Sequence, residues 1–88
     1  MTMTDEVKAC IERLTKCKVE ASKEKYGVHY RLLDDDDYNH VLISLSDLKE
    51  IEATAKIYYS CVVVVVYAFA TMGPSRLGIY ISGVSKNG

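Results

Sequence analysis

The sequence predicts one small α+β domain, residues 1–88, built as a two-layer antiparallel sheet with two helices in the order α-β-β-α-β-β. Three features lead to this prediction: an amphipathic N-terminal segment, a run of five valines at residues 62–66, and turn-forming residues between further β-type segments. Apolar residues three and four apart are typical of helices, whereas alternation of apolar and polar residues is typical of strands. Both patterns occur along the chain, so helices and sheet are both expected.

The first element is a helix predicted over residues 5–25. Thr4 is its expected N-cap, and Asp5 and Glu6 would lie in the first turn, where the helix dipole favours negative charge. Apolar residues then follow at helical spacing: Val7, Ile11, Leu14, Cys17 and Ala21. Gly27 follows this segment and is the expected C-cap.

The next elements are a predicted hairpin of two strands, residues 28–33 and 40–45, separated by an acidic run. If Leu33 lies opposite His40, one face of the hairpin is entirely apolar and consists of Val28, Tyr30, Leu32, Val41, Ile43 and Leu45. The other face, which includes His29 and Arg31, is mainly polar. A shift by one residue would mix the two sets, so the pattern specifies this register.

A second helix is predicted to start within residues 44–47, with Ser46 as its N-cap, and to end near residues 57–59. Its core-facing residues recur at helical spacing: Leu48, Ile51, Ala55 and Tyr58. One continuous helix over residues 47–70 is the alternative. The β-branched side chains in its second half disfavour that helix, because they lose rotamer freedom against the preceding turn.

The valine run predicts the central strand of the sheet, residues 61–70, which a loop at residues 71–76 connects to a returning strand at residues 77–84. Since successive side chains of a strand point to opposite faces, this strand is apolar on both. Soluble monomers rarely expose a large apolar patch. A symmetric dimer, helices on both sides of the sheet, or another protein would cover it, and we expect a homodimer.

The charge and length of the chain argue against several classes of protein. The net charge is −1 and no basic stripe occurs, so direct binding of nucleic acid is not expected. The main apolar segment, residues 57–72, would rise roughly 24 Å as a helix, less than the ~30 Å hydrocarbon core of a membrane. No apolar targeting segment precedes Asp5, and the cysteine count of three is odd, so a cytoplasmic protein with reduced thiols is expected.

No catalytic, cofactor or metal site is predicted from the residue pattern. His29 and His40 would share one face of the predicted hairpin but lie about 13 Å apart at ~3.3 Å per residue, too far for one ion. The three cysteines are interpreted as small buried hydrophobes: Cys10, Cys17 and Cys61. The chain is therefore expected to be non-enzymatic and to need no cofactor.

The most distinctive polar feature is an acidic run consisting of Asp34, Asp35, Asp36 and Asp37. Two interpretations stay open, a patch that docks on a basic partner and a solvated hairpin tip whose charge prevents strand pairing. The predicted partner-binding site combines this run with Tyr38 and with Arg76 in the later loop.

Seven tyrosines offer large contact areas, and tyrosine is common at protein interfaces. Three of them are predicted to lie in the core: Tyr30, Tyr58 and Tyr67. The other four are candidate surface contacts: Tyr26, Tyr38, Tyr59 and Tyr80. Stacking of single-stranded nucleic acid on these rings would also require a basic groove, which the sequence does not predict.

These features favour a non-enzymatic protein-binding module, a small inhibitor or adaptor whose partner is another protein with a basic surface. The small size, the absence of catalytic motifs and the localised acidic run lead to a narrower hypothesis: a phage-encoded protein that acts on a host nucleic-acid machine such as a CRISPR effector. Two alternatives stay open. One is a small enzyme or accessory subunit with a site shared across a dimer, using His29 or His40 and a cysteine. The other is a small single-span membrane protein that crosses at residues 57–72.

Overall fold

The computed structural model describes residues 2–33, 43–69 and 76–86. Six elements follow one another along the chain: α1 (Met3–Thr15), β1 (Lys18–Lys23), β2 (Gly27–Leu33), α2 (Leu45–Lys56), β3 (Tyr59–Phe69) and β4 (Arg76–Ser85). The four strands form one antiparallel sheet in the order β1-β2-β4-β3. The predicted α+β class and the order of elements are therefore confirmed, while several boundaries and strand neighbours differ.

Helix α1 begins two residues earlier than predicted. Thr2, not Thr4, is the N-cap, and its hydroxyl oxygen accepts a hydrogen bond from the backbone N–H of Asp5 at 3.2 Å. Asp5 and Glu6 lie in the first turn as predicted. This cap satisfies one of the backbone donors that a helix start leaves without an intrahelical partner.

The predicted helix over residues 5–25 is wrong in its second half, because α1 ends at Thr15 and residues 18–23 form β1. The Thr15 hydroxyl donates to the carbonyl of Ile11 at 2.7 Å and accepts from the N–H of Cys17 at 3.3 Å. Lys16 then takes a left-handed conformation, with φ 59°, that stops the helix. Side-chain hydrogen bonds of this kind compete with helix continuation.

Strand β2 matches the predicted strand at residues 28–33, but its predicted partner at residues 40–45 is wrong. It lies between β1 and β4, so that Tyr30 is opposite Ala21 on one side and Ile79 on the other. Leu45 begins α2 instead of ending a strand, and residues 40–42 lie outside the described residues. The predicted division of faces holds for β2 itself, where the buried residues are Val28, Tyr30 and Leu32.

Helix α2 ends at Lys56, as predicted, but its N-cap is Ser44 and not Ser46. Ser44 and Asp47 form a capping box, in which each side chain accepts from the backbone N–H of the other at 3.1 and 3.2 Å. Ile51 and Ala55 are fully buried on the predicted face. The alternative of one helix over residues 47–70 is wrong, since the valine run forms β3.

Strand β3 lies at an edge of the sheet and not at its centre, because β4 returns between β3 and β2. Its register with β4 shifts between Ser60 and Val63, which accommodates one extra residue. Cys61 lies in this bulge with a left-handed φ of 55°. The extra residue brings both Tyr59 and Val62 to the helix side, where they pack against the core.

Both helices pack on the same face of the sheet. The core residues from α1, α2 and all strands except β3 form a single cluster: Met3, Val7, Cys10, Ile11, Val19, Val28, Tyr30, Leu32, Ile51, Ala55, Ile79 and Ile81. Val62 and Val64 of β3 pack against its border. The predicted two-layer arrangement, with the helices on one face, is therefore confirmed. The alternative with helices on both sides of the sheet is wrong, and neither α1 nor α2 covers the second face.

Candidate interaction surface on the helix-free sheet face

The face of the sheet opposite the helices, called the outer face below, carries the most distinctive cluster of side chains among the described residues. Strand alternation places every second residue here, opposite the buried positions of the same strands. The side chains discussed below come from β2, β3 and β4: His29, Arg31, Val63, Val65, Tyr67, Phe69, Arg76 and Tyr80. They form one connected surface across the three strands.

Two tyrosine rings on this face lie over glycines of the neighbouring strands. Tyr67 of β3 covers Gly78 of β4 so closely that a side chain at that glycine would overlap the end of the tyrosine ring. Tyr80 of β4 covers Gly27 of β2 in the same way, at 2.7 Å from the position a Cβ would take. Glycine at both positions lets each ring lie across its neighbour strand instead of projecting into solvent.

His29 lies between the two tyrosine rings and holds one of them by a hydrogen bond. Its Nδ1 is 2.8 Å from the Tyr67 hydroxyl oxygen, and its ring packs against Tyr67 edge-on and against Tyr80 at 4.5 Å between centroids. In the neutral tautomer with the proton on Nε2, Tyr67 donates to Nδ1. The Nε2–H then faces the Glu24 carboxylate at 3.6 Å, too long for a hydrogen bond but close enough for an ion pair when His29 is protonated.

Two arginines flank the aromatic cluster at one end of the sheet. The Arg31 guanidinium lies 5.5 Å from the centre of the Phe69 ring, a cation–π distance. Arg76 is directly opposite Phe69 in the β3–β4 pair, so the predicted contact residue Arg76 does lie on this face. Fixed aromatic rings beside arginines are the side-chain combination that protein interfaces favour.

Exposed valines continue this cluster along β3. The side chains of Val63 and Val65 are on the outer face and retain 54% and 46% of their accessible surface. Tyr67 belongs to the same row, so its predicted place in the core is wrong. Tyr59, in contrast, was a candidate surface contact and packs against the core. The outer face of β3 is therefore apolar and uncovered over most of its length.

The predicted acidic site, Asp34, Asp35, Asp36 and Asp37 with Tyr38, lies outside the described residues. Its point of attachment is defined, because Leu33 ends β2 immediately before the run. Leu33 and Arg76 lie at the same end of the sheet, where β2 ends and β4 begins. Arg76 and the last described residue before the acidic run therefore share one end of the sheet.

The cysteines differ in environment, and one of them does not fit the interpretation as a buried hydrophobe. Cys10 is buried in the core, whereas Cys61 is exposed in the β3 bulge. His29 lies in register with Val65 through Tyr80, about 13 Å along β3 from Cys61 at ~3.3 Å per residue. The described residues therefore do not bring an exposed thiol next to this histidine within one chain.

Residues 2–33, 43–69 and 76–86 contain neither a metal-ligating cluster nor a membrane-spanning helix. No group of three or more potential metal-ligating side chains occurs there. No helix in those segments is long and apolar enough to cross a membrane. The residues of the alternative membrane helix, 57–72, are instead largely part of β3.

No protein-family model, curated protein or solved structure matches this chain. The function of the outer face is therefore inferred from its own chemistry. The residue pattern gave Arg76 and Tyr80 as candidate contact residues, a role that stays a prediction, but did not predict that they lie on one face with His29, Tyr67 and Phe69. Tyr67 covers Gly78 of the neighbouring strand β4 and reaches toward His29 on β2. This contact depends on the strand order, which places β4 between β3 and β2.

Proposed function

We propose that this chain is a non-enzymatic protein-binding module, a small inhibitor or adaptor, and that it binds its partner with the outer face of the sheet. One observation carries the proposal: Val63 and Val65 are about half exposed beside fixed aromatic rings on a sheet face that neither α1 nor α2 covers. Exposed apolar patches rimmed by polar residues mark interaction sites in soluble proteins.

The chemistry of this face fits a protein partner better than a nucleic acid. Its centre combines valines with Tyr67, Phe69 and Tyr80, and its charged groups lie around them. Aromatic residues and arginine at the centre, with few other charges, are characteristic of protein interfaces. A nucleic-acid surface needs a continuous basic groove along the phosphate backbone, and Glu20 of β1 interrupts the positive charge next to Arg31.

The acidic run supplies a second contact in this proposal. Four consecutive carboxylates repel one another, and a basic surface on the partner would relieve that repulsion. Nucleic-acid machines carry such basic surfaces, and a CRISPR effector is one example. A phage-encoded inhibitor of such a machine would place the run where phosphates normally bind and would fix its position with the outer face.

Replacing Arg31 by alanine should weaken partner binding about tenfold, or ~1.4 kcal/mol, since arginine is enriched among the interface residues that contribute most to binding. The partner is first recovered from the native host with the immobilised wild-type chain and identified by mass spectrometry. Its affinity for each variant is then measured by titration calorimetry. Arg31 is exposed and makes one cation–π contact, so its removal should leave the fold intact.

The matched control is Arg13→Ala on the helix side of the protein. Arg13 is also exposed; its guanidinium pairs with the Glu50 carboxylate at 2.6 Å and lies 3.9 Å from the Cys10 sulfur. This variant should bind as tightly as the wild type. Equal affinities for the two alanine variants would remove the outer face from the proposed contact.

Changing Asp34, Asp35, Asp36 and Asp37 together to asparagine tests the acidic contact. The association rate should fall about tenfold at low salt, and the dependence of that rate on salt should weaken, because charge steers the encounter with a basic surface. The control carries the same change in net charge at four exposed or partly exposed carboxylates on the two helices, away from the outer face: Asp5, Glu6, Glu50 and Glu52. If both variants slow association equally, only the overall charge matters and the run is not a specific contact.

A further inference from the structure

We propose that two copies of this chain pair their β3 strands edge to edge and antiparallel, joining two sheets into one across a two-fold axis. This contact uses the edge of the sheet, whereas the partner surface proposed above uses its outer face; the two adjoin at Val63 and Val65. It defines a geometry for the homodimer that the valine run predicts. Three properties of β3 support it: its free edge, its lack of charge, and its exposed valines on both faces.

The free edge of β3 lacks the features that usually protect such edges. The strand is 11 residues long and is paired only with β4 among the described strands. Residues 57–75 contain no charged side chain. The opposite edge of the sheet, β1, is 6 residues long and carries Lys18, Glu20 and Lys23. Charges and short length discourage strand addition, so β1 is protected and β3 is open to it.

The exposed valines lie on both faces of β3, which restricts what can cover them. Val63 and Val65 are on the outer face, whereas Val66, opposite the buried Ile79, is on the helix side and is still 39% exposed. A protein resting on the outer face would leave Val66 uncovered. A strand added to the edge covers both sets, because its own side chains alternate between the two faces.

A second β3 is a strand of suitable chemistry, and a two-fold axis makes the contact self-complementary. Residues directly opposite each other in an antiparallel pair lie on the same face of the sheet. The two-fold axis therefore has to pass between the two copies of one residue, which lie opposite each other. Val65 is the middle of residues 62–68, the segment between the Cys61 bulge and the end of the strand. With the axis at Val65, Val64 of each copy faces Val66 of the other, and no charged group enters the contact.

The first test compares a lysine on each edge of the sheet. Val65→Lys would place two ammonium groups beside each other on the axis, and the dimer dissociation constant should rise at least 100-fold. Ser22→Lys is the matched control, because Ser22 is exposed on the outer face of the other edge strand, β1. The full-length chains are compared by sedimentation equilibrium, and circular dichroism checks that both variants fold. A wild type that is monomeric at 50 μM, or equal dimerisation of both variants, would overturn the proposal.

The second test locates the axis. In a Cys61→Ser background, Val65→Cys should form an intermolecular disulfide under mild oxidation, because cross-strand Cβ atoms about 5 Å apart are close to disulfide geometry. Ser22→Cys in the same background should stay monomeric on a non-reducing gel. Disulfide formation at Ser22→Cys but not at Val65→Cys would place the dimer contact at β1 and overturn the proposal. Val66 is exposed on the helix side of β3 and lies outside the proposed partner surface. A monomeric Val66→Lys chain that still binds the partner protein separates this proposal from the proposed function, as does a dimeric Arg31→Ala chain that no longer binds it.

Discussion

An alanine at Gly27 is expected to destabilise the folded chain by about 3 kcal/mol, at the upper end of what overpacking usually costs. A Cβ at this position would lie 2.5 Å from the carbonyl oxygen of Ile81 and 2.7 Å from the ring end of Tyr80. The tyrosine could rotate away. The carbonyl belongs to the backbone of β4, which is paired with β2 at this point, so it cannot retreat without disturbing the ladder.

The same substitution at Gly78 provides the matched comparison. There the added Cβ would meet only the end of the Tyr67 side chain among its nearest neighbours. Tyr67 can swing out at the cost of its hydrogen bond to His29, a loss of about 1 kcal/mol. In a Tyr67→Ala background, Gly78→Ala should therefore cost little. Urea unfolding of the single and double variants measures these differences, and a Gly78→Ala variant less stable than Gly27→Ala would contradict the explanation.

The fold class could be predicted because it depends on patterns that are local in sequence. The β-branched side chains of the valine run favour a strand, and the run forms β3. The apolar spacing of Ile51 and Ala55 identifies the buried face of α2. The faces of β2 and β4 also follow from alternation. These patterns show which side of a helix or strand is buried. They do not depend on which other elements pack against that side.

The end of α1 could not be predicted from apolar spacing, because that spacing fits two structures. Cys17 and Ala21 continue the helical period from Val7, but Val19 and Ala21 also alternate as strand residues facing the core. The choice between them depends on the hydroxyl of Thr15 and on the left-handed Lys16. Such a turn has no strong sequence pattern when its left-handed residue is not glycine.

Strand neighbours were missed for a different reason. The residue pattern pairs β2 with the next β-type segment in sequence, whereas β2 actually contacts β1 before it and β4 after it. The contact of β2 with β4 joins residues about fifty positions apart and depends on packing of the whole sheet. His29 and Tyr67 come together only through this strand order, so the candidate surface could not be assembled from sequence neighbours.

Two tyrosines of β3, Tyr59 and Tyr67, were assigned to the wrong environment, and the bulge in this strand determines on which face each of them lies. Regular alternation would place Tyr59 and Tyr67 on the same face, since they are eight residues apart. The extra residue at Cys61 places them on opposite faces, with Tyr59 against the core and Tyr67 on the outer face. Bulges of this type are common at sheet edges, and Cys61 at a left-handed φ has no glycine to indicate the bulge in advance.

A second large effect is expected at alkaline pH, and it depends on Tyr30. This side chain is fully buried, and burial raises the pKa of its hydroxyl well above the usual range. An unfolded tyrosine ionises near pH ~10, whereas Tyr30 in the folded chain keeps its proton there. The unfolded state then loses a proton that the folded state retains. Stability is therefore fully present below pH ~10 and falls by about 1.4 kcal/mol per pH unit above it, until the folded hydroxyl also ionises.

Tyr30→Phe provides the comparison that isolates this residue. The hydroxyl donates to the Thr4 carbonyl at 3.4 Å and contacts the Met3 sulfur at 3.8 Å, so its removal should cost little at neutral pH. Tyr26 is 72% exposed, and Tyr26→Phe serves as the control for an exposed tyrosine. Urea unfolding between pH 8 and pH 12 should show the steep loss in the wild type and in Tyr26→Phe, and a much shallower one in Tyr30→Phe. The same slope in all three chains would mean that Tyr30 ionises as easily in the folded state as in the unfolded one.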